Sequence, residues 1–131
     1  MIKRTVNFND FDGIKQKKDL WFHLTKLEAI KIVGKHEDWT SYINDLVLSK
    51  DFDGILAVLE RVILDAYGKR IDGKFVKSTA IREEFSYSEE YSELFVELMQ
   101  DEKKLAKFFK DLTPSAEEQK QPVKRSPRAV N

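Results

Sequence analysis

The chain has no cysteine, which excludes disulfides, thiolate catalysis and Cys-ligated zinc. Its two histidines, His23 and His36, fall on different predicted elements, and neither His-x-x-x-His nor HExxH occurs. The common zinc spacings are therefore missing, and no metal is expected. Of the five glycines, none stands in a G-x-x-x-x-G-K-[ST] loop. Asp72-Gly73-Lys74 reads as a turn, because one glycine cannot build a phosphate cradle. No window approaches the roughly 18 apolar residues of a membrane span, and the opening MIKRTVNFND lacks the apolar stretch of a signal peptide. A soluble cytoplasmic protein is expected. Charge of one sign is not in excess, with 23 Lys plus Arg against 23 Asp plus Glu. Such a balance gives little pull toward nucleic acid or an anionic membrane, and neither is expected as a partner. Catalytic groupings are missing too. There is no G-x-S-x-G, and Ser78 and Ser88 read as helix caps. Glu83-Glu84 and Glu89-Glu90 are sequence neighbours that would point about 100° apart on a helix, so they read as solvated faces. No catalytic residue, cofactor site or enzymatic activity is expected.

What is present is a chain of 131 residues, 41% hydrophobic and 35% charged, against roughly 25% charged in an average domain. One folded domain over residues 1–114 is expected. Ile2, Arg4, Val6 and Phe8 alternate with Lys3, Thr5 and Asn7, the period of a strand with one wet face. Asp12-Gly13 is a two-residue turn signal. Leu20, Phe22 and Leu24 then share a face opposite Trp21 and His23, so residues 2–24 read as a β-hairpin. A lone hairpin is marginal in water, so its apolar face must lie on helices or on another chain.

Residues 25–114 read as helical. Thr25 and Glu28 fit a capping box, and Gly34 suits the end of that first, short helix. Asp38 can cap a second helix whose Trp39, Tyr42, Ile43, Leu46 and Val47 form one stripe. A third begins near Asp51 or Asp53, with Ile55, Val58, Leu59, Val62, Ile63 and Ala66 as its stripe, widened by Leu56 and Leu64. Gly68 is expected to end it. Arg70–Ser78 reads as a turn or very short hairpin, and Thr79–Phe85 as a short helix. Ser88 caps a helix carrying Tyr91, Leu94, Phe95, Leu98 and Met99. Asp101 caps the last, which carries Leu105, Phe108, Phe109 and Leu112 and is stopped by Thr113-Pro114. Residues 115–131 (SAEEQKQPVKRSPRAVN) have no aromatic and no periodic apolar face. They cannot offset roughly 1–2 kcal/mol of backbone entropy per residue, and a disordered tail is expected. The fold class is thus α+β and mainly helical, with an N-terminal hairpin packed on about five amphipathic helices.

Two surface features stand out. Lys15-Gln16-Lys17-Lys18 lies near Trp21 and Phe22, a mix that suits single strands, but a lysine-rich strand edge that resists aggregation accounts for it. Phe11, Trp21 and one of Phe108 or Phe109 are candidates for exposure, as on a protein-binding surface.

The order of short motifs is more telling. Lys3-Arg4-Thr5-Val6, Phe8, Asp10-Phe11 and Gly13 are followed by Leu24-Thr25-Lys26 and Glu28. An apolar helix ends in Tyr67-Gly68, and Asp72-Gly73-Lys74-Phe75-Val76-Lys77-Ser78 comes next. Phe85 then precedes the YSELFVEL helix, with Tyr91, Leu94, Phe95 and Leu98, and a last helix ends near Pro114. Over residues 3–114 this series resembles the tail assembly chaperones of long-tailed bacteriophages, with Gly34–Lys50 and the segment from Ser115 departing most. The resemblance implies a non-enzymatic protein that coats the tape measure protein and leaves as tail tube subunits (the major tail protein) replace it. It further implies self-association, for which the hairpin edge is a site, and a longer form made by ribosomal frameshift, of which this chain would be the shorter partner. It places the protein in the cytoplasm of an infected or lysogenic bacterium and outside the mature virion. A coat for an apolar helix needs a reversible amphipathic groove. The faces carrying Trp39, Tyr42, Ile43 and Leu46 and carrying Leu105, Phe108 and Phe109 are expected to form it. The competing reading is a small phage- or bacterium-encoded regulator that binds a host protein or DNA. A DNA reader should carry a basic recognition helix, whereas these helices mix signs.

Overall fold

A computed structural model describes residues 1–34, 39–49 and 51–112, with the side chains at 39, 40 and 47 also outside the description. Strands β1 (Ile2–Asn9) and β2 (Lys15–Phe22) form the N-terminal hairpin, in a register that pairs Ile2 with Phe22 and Asn9 with Lys15. The turn differs from the two-residue form expected at Asp12-Gly13. Asp10 and Ile14 close it, with Asp10 N donating to Ile14 O and Gly13 N to Asp10 O, each at 2.9 Å. Three residues therefore lie inside, and Gly13 takes the left-handed position at φ 78°. The Asp10 carboxylate decides this by accepting from the amides of Asp12 and Ile14. Residues Phe11–Asp19 are exposed throughout.

Helix α1 (Lys26–Val33) opens on the expected box, with Glu28 N donating to Thr25 Oγ1 and Thr25 N to the Glu28 carboxylate. Gly34 closes it at φ 68°. Helix α2 is Trp39–Leu48, and α3 is Phe52–Ala66 with Asp51 as its cap. The cap expected at Asp38 lies outside the described residues, as do His36, Thr113-Pro114 and the segment 115–131.

After Ala66 the chain departs from the expected helix end at Gly68. Tyr67 is already extended, and Tyr67–Ile71 form strand β3, which pairs with β2 through Phe22–Tyr67 and Trp21–Gly68. Strand β4 (Lys74–Val76) folds back on β3 across Asp72 (φ 51°) and Gly73 (φ 79°). Both turn residues have positive φ, as a tight type I′ hairpin requires. The sheet is four-stranded in the order β1-β2-β3-β4. Gly68 serves a close approach: a Cβ there would lie 2.5 Å from Phe75 Cζ and 2.7 Å from Val76 O.

Three helices follow: α4 (Thr79–Ser86), α5 (Glu89–Gln100) and α6 (Glu102–Leu112), making six among the described residues. Ser78, Ser88 and Asp101 cap them through side-chain oxygens. The core lies between the inner sheet face and the helices, with Leu20, Phe22, Leu24, Leu59, Leu94 and Leu98 fully enclosed. Helix α5 packs on β1, α4 on β3, and α3 against α1, α2 and α4.

Candidate functional site

Ring contacts connect the core to the surface. Phe22 meets Tyr67 at 5.7 Å, Phe85 at 6.1 Å and Phe108 at 5.4 Å between centroids. Tyr67 stacks on Phe85 at 3.7 Å, Phe85 meets Tyr91 at 5.3 Å, and Tyr91 meets Phe95 at 5.8 Å. Such pairs contribute about 0.5–1.5 kcal/mol each beyond their burial. The series starts on the sheet, crosses α4 and emerges on α5, where Tyr91 and Phe95 are half-buried.

There it reaches an open groove of about 710 Å³. One wall is the first half of α3, presenting Asp53, Leu56, Ala57 and Glu60. These lie at i, i+3, i+4 and i+7, a single stripe on the helix. The other wall is α5, with Tyr91, Ser92, Phe95 and Val96, and the turn Ser86–Ser88 closes one end with Tyr87. Tyr87 is 82% exposed and Val96 48%, large apolar surfaces left open to water. Every charged side chain in the lining is acidic, namely Asp53, Glu60 and Glu89. None of the three pairs with a cation among the described residues. Burial, reinforced by the Glu60 carboxylate, pushes the Tyr91 hydroxyl up to about 12. At the Asp53 end, Phe52 and Leu48 are also exposed.

A second cluster joins distant segments. Lys77 Nζ donates to His23 O at 3.1 Å, Asp65 O at 2.9 Å and the Glu28 carboxylate at 2.7 Å. One ammonium thus ties the end of β2, the end of α3 and the start of α1. Beside it His23 lies edge-on to Phe75 at 6.4 Å. Its Nδ1 is buried without a hydrogen-bond partner among the described residues. Burial, with the N-terminal ammonium and Lys77 adding to it, lowers the imidazole pKa. Among the described residues no group of three His, Asp or Glu side chains could hold a metal.

The residues expected to bind a partner are placed unevenly. Tyr42, Ile43 and Leu46 are half-buried on α2, which packs on α3 and α6, while the Trp39 side chain lies outside the description. On α6, Leu105, Phe108 and Phe109 are 9%, 1% and 1% exposed. The expected exposure of Phe108 or Phe109 is therefore corrected: both fill the core, and Phe108 is clamped by Phe22. The apolar face of α6 is thus buried, and α2 contacts α6. Phe11 is exposed at 80%, as expected. Trp21 is half-buried between Lys3, 5.7 Å from its ring, and Arg70, 5.3 Å away. Sequence reasoning missed Ala57, Tyr87, Val96, Asp53, Glu60 and Glu89 as one surface. The available signal was Leu56, which made the α3 stripe wider than one core face needs.

The motif positions, by contrast, come together. Tyr67, Phe85, Tyr91 and Phe95 are the ring series, Gly68 and Phe75 are in contact, and Asp72-Gly73 is the tight turn. Ser78 caps α4, while Leu94 and Leu98 are fully buried.

The fold is thus α+β, with an aromatic series that opens onto an acid-rimmed groove between α3 and α5. The sequence profile of the phage tail assembly chaperone family matches residues 1–128. The chain belongs to that family, which is one of chaperones and not of enzymes. The match runs past residue 114 into the C-terminal segment, further than the motif resemblance reached. Searches of curated proteins and of solved structures returned no significant match.

Proposed function

We propose that this chain binds the tape measure protein and keeps it soluble until the tail tube polymerises, acting without catalysis in the cytoplasm of the bacterial host. The α3–α5 groove carries this reading. It is an apolar trough between two helices, open to solvent and continuous with the hydrophobic interior. Helix-in-groove docking reuses that geometry, and a shallow open groove suits a partner that must later be released. The α2 residues Tyr42, Ile43 and Leu46, with Trp39 on the same helix, would extend the contact beyond Leu48 and Phe52. In this reading Leu105, Phe108 and Phe109 support α2 from inside and do not touch the client. Several copies line one client, a frameshift-extended form joins them, and major tail protein subunits displace them. Nucleic acid is not proposed as a partner, because 23 basic residues are balanced by 23 acidic ones and leave little net charge to attract it.

Co-expression with the tape measure protein, followed by size-exclusion chromatography with light scattering, tests this. The expected result is a soluble complex with more than one copy of this chain per client. A client that aggregates equally with and without it rejects the proposal.

A further inference from the structure

We infer that the α3–α5 groove takes an amphipathic helix whose apolar ridge is flanked by lysine or arginine, and that the groove rejects otherwise similar helices flanked by acids. Assigning that helix to the tape measure protein rests on the function proposed above; the chemistry of the site does not. A helical occupant fits because its side-chain ridge can pack between two helical walls. Leu56 and Ala57 on α3 and Phe95 and Val96 on α5 offer two ridged faces with the space between them unfilled. A third helix would seat its own ridge there, completing a three-helix packing.

The charge requirement comes from the rim. Asp53 and Glu60 stand seven residues apart on α3, so about 10.5 Å separates them along the axis. Glu89 stands at the start of the opposite wall, and no lysine or arginine lines the groove. An entering helix reduces the solvent around these carboxylates, which strengthens each charge interaction. Acidic flanks would meet three unpaired like charges, whereas basic flanks would neutralise them. The favoured client segment therefore has apolar residues at i, i+3, i+4 and i+7, with basic residues spaced two turns apart beside them.

Titration of the full isotope-labelled chain by NMR with two designed peptides tests this, one a leucine–lysine amphipathic helix and the other its leucine–glutamate counterpart. The lysine peptide should bind at least tenfold more tightly, with shifts concentrated on residues 53–60 and 86–96. It should also weaken several-fold when salt is raised from 0.05 to 0.5 M, on the order expected from screening. The isosteric variant Asp53→Asn/Glu60→Gln/Glu89→Gln should keep its fold and lose the preference between peptides. Equal binding of both peptides, shifts centred elsewhere, or an unchanged preference in the variant each overturn the inference. Val96→Glu then separates the two readings in co-expression. If wild type solubilises the tape measure protein and Val96→Glu does so equally well, the assignment of the groove to that client fails and the chaperone reading stands. If wild type leaves the client insoluble while the peptide preference holds, the chaperone reading fails and the groove remains a site for basic-flanked helices.

Discussion

Lys77 shows how one residue can hold a junction that no local pattern announces. Its ammonium satisfies two carbonyls and a carboxylate on three separate elements, so Lys77→Met leaves those acceptors without their donor. A loss of about 1–2 kcal/mol is expected, because the site is partly open to solvent; urea unfolding reads it. Glu28 gives the pH dependence. Burial raises its pKa, but the Lys77 hydrogen bond, the Thr25 amide and the Lys77 charge outweigh it, and the carboxyl ends below its ordinary 4.5. The folded state thus holds that proton less readily than the unfolded chain does. Its contribution is full above about pH 4.5 and is lost as pH falls through the lower native value. Lys77→Met should flatten that part of the acid stability curve. Gly68→Ala is the other informative change at this scale. The added methyl meets the Phe75 ring and the Val76 carbonyl, so overpacking of about 1–3 kcal/mol is expected, measurable as a lower thermal midpoint.

Among the elements, α6 and α5 differ in how much of their apolar surface they bury. Helix α6 turns its whole apolar stripe inward, with Phe108, Phe109 and Leu112 essentially inaccessible. Phe108→Ala should therefore cost about 3–5 kcal/mol in unfolding experiments. Helix α5 is two-faced: Leu94 and Leu98 are enclosed while Tyr91, Phe95 and Val96 border the groove. The salt bridges Arg4–Glu97 at 3.1 Å and Lys18–Glu90 at 2.9 Å fasten α5 to the hairpin. Its inner face is thus fixed, while its outer face borders the groove. The capping box, the other caps and the stripes were legible in the sequence because they depend on residues two to four apart. Which of two similar stripes faces water was not, because that is decided by what packs over each.

For the whole molecule, the decisive separation is between stability and docking. Val96→Glu changes a side chain already half in water, so unfolding should stay within about 0.5 kcal/mol of wild type while recovery of soluble client falls. Phe108→Asp should instead abolish the fold, placing an unpaired charge against Phe22. Finding Val96→Glu unfolded, or Phe108→Asp folded and unable to bind, would exchange the roles given to these helices. The sheet belongs to this scale too. Tyr67-Gly68 ends an apolar helix in the sequence, yet both residues pair with β2 across more than forty intervening positions. Nothing local distinguishes a chain that stops there from one that turns straight into a strand.

The sequence by itself determined the caps at Thr25, Asp51, Ser78, Ser88 and Asp101, the turn at Asp72-Gly73, the alternating hairpin faces and the mainly helical remainder, since each is enforced by neighbours within a turn or a strand period. Its ordered motifs also carried the family, because they are the positions that build one aromatic series and its supporting turn. Only the tertiary structure decided that β3 and β4 extend the hairpin into a four-stranded sheet, that Phe108 and Phe109 are interior, and that Leu56, Phe95 and Val96 line one groove with an acidic rim. Those outcomes depend on long-range competition for buried area, in which each apolar stripe is covered or left open according to the elements that reach it first.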